Sequence, residues 1–109
     1  MFHPSRSHQL PLGTCGPRIL RIPVHLDVAE LATHLAVTGA TGSGKSRWLA
    51  HLAVSLILQG EAVTVLDPHG DTARLILHAL IACGVYDDPD AYDRITYLDL
   101  PAASAVGRY

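Results

Sequence analysis

Eight consecutive residues carry the means for phosphate chemistry: Gly39-Ala40-Thr41-Gly42-Ser43-Gly44-Lys45-Ser46. A polyphosphate presents clustered negative oxygens. The least bulky way to stabilise them is a ring of backbone N–H groups, which needs glycine wherever a side chain would block close approach. Gly39, Gly42 and Gly44 supply those positions, while Ala40, Thr41 and Ser43 shape the loop between them. Lys45, the only lysine of the chain, is spaced to reach the β and γ phosphates. The Ser46 hydroxyl is placed to complete the coordination of a bridging magnesium ion, and Arg47 closes the binding segment. The expected cofactors are ATP and Mg2+, with Lys45 as the residue acting on the phosphates.

Such a loop works only between a strand and a helix, because the first-turn N–H groups of the helix and the positive end of its dipole complete the anion site. Leu35-Ala36-Val37-Thr38 is a short apolar run that reads as a buried parallel strand entering the loop. From Lys45 to Gln59, Trp48, Leu49, Leu52, Ala53, Leu56 and Ile57 recur at three- and four-residue steps, and Gly60 stands where a helix stops. Ala62–Leu66 reads as a second core strand that ends at the turn Asp67-Pro68-His69-Gly70-Asp71. Asp71 is placed to cap a helix that runs to Gly84, Asp87–Asp90 forms a turn, and Ile95–Leu100 is a third strand closed by Pro101. Arg18–Val24 reads as a short edge strand marked by Pro23. The order strand, helix, strand, helix, strand predicts an α/β fold with a small, mostly parallel sheet and right-handed crossovers.

Composition bounds what this fold can be. The 109 residues are 49% hydrophobic and 17% charged, enough for one domain with a buried core. Residues 1–17, rich in Pro, Gly, Ser and His, read as a flexible arm, and 18–109 as the domain. A formal charge of −2 with scattered basic residues gives no face for a phosphate backbone, so direct DNA binding draws no support from charge. Cys15 and Cys83 lack CxxC spacing, which reads as two free thiols of a reducing cytosol. The seven histidines show no metal spacing. No apolar run approaches the roughly 20 residues of a membrane span, and the amino terminus lacks a secretory layout, so a cytoplasmic location is expected.

Asp67 and Asp99 each end an apolar run, as a magnesium-orienting aspartate does, yet neither is followed by an acidic neighbour. For Asp67 two readings stand side by side: a catalytic and metal-orienting role at the phosphates, and a turn-forming role before proline. In an open parallel sheet ligands gather beyond the carboxyl ends of the strands, which favours a place for Asp67 near the loop. Asp99 fits the turn. His69 fits an exposed cap better than a ligand.

Taken together, Thr33-His34-Leu35-Ala36-Val37-Thr38 with the glycine loop, and Val65-Leu66-Asp67-Pro68-His69-Gly70-Asp71 some twenty residues later, resemble the HerA/FtsK-type DNA-pumping ATPases, in particular the conjugative coupling proteins of type IV secretion. Arg94-Ile95-Thr96-Tyr97-Leu98-Asp99 looks like the next strand of that group. The resemblance covers Arg18 to Leu100 and implies the first part of a RecA-like, three-layer P-loop domain. It further implies nucleotide as the direct partner, DNA only through a larger assembly, and homo- or hetero-oligomers. The family's later catalytic groups do not occur in this sequence, so binding is expected without turnover. Two other functions fit the loop. A small P-loop phosphotransferase would use Asp67 as base, although no arginine-rich lid is present. A non-catalytic protein would dock onto a full-length motor. An incomplete sheet also predicts self-association.

Overall fold

Gln9–Cys15 (β1) and Ile22–Asp27 (β2) pair as an antiparallel hairpin in the computed structural model, which describes residues 9–32 and 34–99. The register runs from Gln9 opposite Asp27 to Cys15 opposite Ile22, with an irregularity between Pro11 and Gly13. Leu12 is therefore the extra residue of a bulge, with no partner on β2. Both strands are edges, so Pro11 and Pro23 are tolerated where a central ladder would exclude them. The connection closes when the Leu20 N–H donates to the Pro17 carbonyl at 2.8 Å. Gly16 adopts φ 105° there, and a Cβ at this position would overlap the Leu20 carbonyl oxygen. After β2, Asp27 accepts the Ala29 N–H at 3.1 Å and starts a 3-10 turn over Val28–Ala32.

The chain divides into two compact units, Met1–Val65 and Leu66–Tyr109. In the first, the helix Lys45–Leu58 (α1) packs on β1. Leu10 of β1 is fully buried, and Ala50, Leu52, Ala53 and Val54 form the buried side of α1. Burying one leucine contributes about 2 kcal/mol, so Leu10 is a principal anchor between hairpin and helix. The helix stops because Gly60 turns left-handed at φ 88°. That turn lets the Gly60 and Glu61 N–H groups reach the Ile57 and Leu56 carbonyls and satisfy the last turn. The Gln59 amide then donates to the Gln9 carbonyl at 3.2 Å, tying the helix end to the hairpin.

The second unit holds the helix Asp71–Ala82 (α2), a 3-10 turn at Val85–Asp87 and the single-turn helix Ala91–Arg94 (α3). Ile76 and Leu80 of α2 and Ala91 of α3 are its buried residues. Gly84, at φ 73°, ends α2 as its position in the sequence predicts. The Tyr86 and Tyr92 rings meet in a tilted pair with centroids 5.6 Å apart.

Three sequence expectations need correction or restatement. Among the described residues the stretches 35–38, 62–66 and 95–99 carry no ladder, and the sheet is two-stranded and antiparallel where a mostly parallel one is expected. An apolar, β-branched run marks a segment suited to burial, whereas a strand exists only once a neighbour satisfies its N–H and C=O groups. The side chains show the same lack of cover: Leu66 is 91% and Leu98 78% exposed. Leu100 and the tail after it lie outside the described residues. The arm expected over residues 1–17 includes β1 from Gln9 onward, because pairing with β2 outweighs its Pro and Gly content, and residues 1–8 lie outside the described residues. The edge strand expected at Arg18–Val24 begins later, at Ile22, since Pro17–Leu20 is spent on the turn.

Two outcomes follow. Gly60→Ala costs about 1 kcal/mol from left-handed strain alone, and Gly16→Ala costs more because clash adds to strain, measurable by denaturant unfolding. The exposed apolar stretches produce concentration-dependent association of the isolated chain, visible in light scattering.

Candidate phosphate-binding site

The loop is built by alternation of left-handed glycines with ordinary residues. Gly42 and Gly44 sit at φ 80° and 92°, and the Ser43 N–H between them donates to the Ala40 carbonyl at 3.1 Å. Gly44 is the N-cap of α1, with no side chain capping the first turn and no acidic residue within it. The N–H groups that open an α-helix have no intrahelical partners, so those of Lys45, Ser46 and Arg47 are available to an anion. A Cβ at Gly39 would lie 2.7 Å from Ser43 Oγ, so a larger residue there would make the serine hydroxyl turn away.

Lys45 closes the mouth of this loop. Its ammonium donates to the Gly39 carbonyl and, at 2.9 Å, to the Ala40 carbonyl. A cation is thus held across the loop, and a phosphate oxygen offers it a stronger, charged acceptor than either carbonyl. Val37, Thr38, Gly39, Ser43, Gly44, Lys45 and Trp48 line a pocket of about 330 Å³, at the small end of ligand sites and of a size for phosphates. Of the residues expected to bind, Gly39 to Ser46 form one continuous loop and helix start; Thr41, Ser46 and Arg47 are exposed. Magnesium is a hard ion that takes few protein ligands beside phosphate oxygens, and the exposed Ser46 hydroxyl is of the oxygen-donor type such an ion would take. Among the described residues no three His, Cys, Asp or Glu side chains gather as a metal site.

Trp48 belongs to this pocket although its place in the helical pattern marks it only as an apolar residue. The signal lies in the spacing, because a residue three positions after Lys45 shares its helix face.

Asp67 lies in the second unit, where its carboxylate organises the start of α2. Oδ1 accepts the His69 N–H at 3.1 Å, and Oδ2 accepts those of Thr72 at 2.7 Å and Ala73 at 3.1 Å. The carboxylate is thus engaged in the turn that leads into α2. Asp71, expected as the cap, is instead the first helical residue; Gly70 holds the N-cap position at φ 81°, and the capping oxygen comes from Asp67. The Ala73 N–H above all, with those of His69, Gly70 and Thr72, holds the Asp67 carboxyl below its ordinary value of 3.8, against a smaller opposing effect of burial. Asp99 is half-buried and His69 is exposed.

A glycine loop that opens an uncapped helix under a lysine places the chain in the phosphate-loop class. Residues 12–99 match the family described as "Helicase HerA, central domain", and the chain belongs to that family. It is 42% identical over 66 residues to the DNA double-strand break repair helicase HerA of Pyrococcus furiosus, covering 57% of this chain and 12% of the relative. It is 40% identical over 67 residues to the protein of the same name from Saccharolobus solfataricus, covering 62% of this chain and 13% of the relative. The chain thus spans about an eighth of the length of these relatives. No solved structure matches it. Among the described residues no helix is long and apolar enough to cross a membrane.

The cap on α2 has a defined pH signature. A carboxyl held low in the folded state stabilises it fully above the ordinary aspartate range, and that stability is lost as pH falls through the depressed value. Asp67→Asn, which removes an anionic acceptor, lowers the thermal midpoint by a few degrees at neutral pH and flattens the acid limb of the midpoint against pH. An unchanged acid limb overturns this assignment.

Proposed function

We propose that this chain binds Mg-ATP as the nucleotide-binding part of a DNA-translocating motor, and that turnover belongs to a larger assembly. The observation that carries the reading is the Lys45 ammonium, poised on the Gly39 and Ala40 carbonyls at the uncapped start of α1. In this reading the loop amides and Lys45 hold the β and γ phosphates, Ser46 holds magnesium, and Arg47 flanks the site. Bound magnesium would neutralise charge on the phosphate oxygens. Asp67 contributes the shape of its turn, because three N–H donors already draw on its roughly four lone-pair sites.

The names of the relatives, all DNA double-strand break repair helicases, support a motor acting on DNA. DNA is then reached through homo- or hetero-oligomeric assembly, in keeping with a net charge of −2 and no basic face on this chain. The conjugative specialisation rests on the loop-and-turn resemblance alone, and the repair helicases favour a repair-type motor over it. A phosphotransferase would need Asp67 as a free base, and its engagement as a cap speaks for the motor.

Calorimetric titration of Mg-ATP into the purified chain, with phosphate release assayed in the same samples, tests the proposal. Binding without turnover is expected. Lys45→Ala weakens it at least tenfold, about 1.4 kcal/mol, and Ser46→Ala removes most of its magnesium dependence. Equal binding by the wild type and Lys45→Ala overturns the reading.

A further inference from the structure

Trp48 faces two structures at once. Its ring lines the phosphate pocket beside Lys45, and its indole N–H donates to the Leu12 carbonyl at 3.1 Å. Leu12 is the bulged residue of β1, the one position between Gln9 and Cys15 without a partner on β2. A bulge frees a strand to turn a backbone group toward something other than its neighbour, and here that group is taken by the helix that opens at the loop. We propose that Trp48 is a positioning residue that couples occupation of the phosphate loop to the β1–β2 hairpin. The inference rests on the nucleotide reading above and extends it to a regulatory connection.

The coupling has a physical route within the first unit. An incoming anion draws the Lys45 ammonium away from the Gly39 and Ala40 carbonyls, which changes the pocket wall formed by Val37, Thr38 and Gly39. Trp48 lines the same pocket, and a shift of its ring alters its hold on Leu12. The half-buried indole and the fully buried Leu10, two residues before Leu12, make this attachment more rigid than an exposed contact. Coupling between two sites is reciprocal: phosphate binding that tightens the hairpin attachment is itself weakened, by the same factor, when that attachment is loosened. Any element that docks on the hairpin would thereby bias nucleotide affinity.

Trp48 is the only tryptophan of the chain, so its emission reports on this position directly. Mg-ATP is titrated into the full chain while emission is followed, and amide hydrogen exchange over residues 9–15 and 22–27 is compared with and without saturating ligand. The expected result is a saturable emission change with the calorimetric affinity, together with an altered exchange rate in β1. Trp48→Phe, which keeps a ring and deletes the N–H, is expected to weaken binding roughly fivefold, the scale of one neutral hydrogen bond, and to abolish the ligand response of β1. Unchanged affinity in Trp48→Phe, or a β1 that ignores saturating Mg-ATP in the wild type, overturns the coupling while leaving the nucleotide site standing. The wild-type exchange measurement decides the matter even if the variant does not fold. Absence of any Mg-ATP binding by the wild type overturns both readings, and is told apart by calorimetry.

Discussion

The first turn of α1 begins without a capping side chain, and this one unmet requirement organises the amino-terminal unit. Backbone N–H groups at a helix start must find acceptors. Here the preceding glycines turn left-handed at Gly42 and Gly44, and a glycine stands at the N-cap in place of a serine or aspartate. The Lys45 ammonium meanwhile settles on the loop's own carbonyls. Among the described residues donors and a cation therefore gather at a helix start with no acidic residue in its first turn, an arrangement that favours an anion.

A loop of this kind must be held from behind. Leu10 anchors β1 under α1, the Gln59 amide ties the far end of the helix to Gln9, and the Trp48 indole ties its near end to Leu12. The hairpin thus grips the helix at both ends, and the bulge at Leu12 makes the near grip possible. The rigidity of the phosphate site is a property of this pairing as much as of the loop sequence.

The second helix solves the same end problem in the opposite way. At α2 the Asp67 carboxylate, four residues before the first helical position, supplies the acceptors, so the positive helix end is neutralised internally. One helix start has a glycine at its N-cap and the other is closed by a side chain from upstream. That contrast distinguishes the Lys45 loop, whose helix start has a glycine N-cap, from the Asp67 turn, whose carboxylate accepts the first-turn N–H groups. It also fits the membership of the HerA central-domain family, whose match takes in both segments.

What the sequence by itself determined were features whose physical cause is local. The glycine spacing, Lys45, the 3.6-residue pattern of α1 and the stops at Gly60 and Gly84 were all legible, because steric freedom at φ > 0 and helix periodicity act over a few residues. The HerA/FtsK type, though not the conjugative branch of it, was legible from the loop and turn taken together. Only tertiary structure decided what depends on residues distant in the chain. The pairing of Gln9–Cys15 with Ile22–Asp27 overrode a proline- and glycine-rich composition, and the bulge carbonyl of Leu12 found Trp48 across 36 positions. Which N–H groups the Asp67 carboxylate met was likewise set by the folded turn. The apolar runs 35–38, 62–66 and 95–99 show the limit most directly. Hydrophobicity states that a segment seeks cover, but a ladder requires a second backbone, and which backbone comes alongside is not written in the run itself.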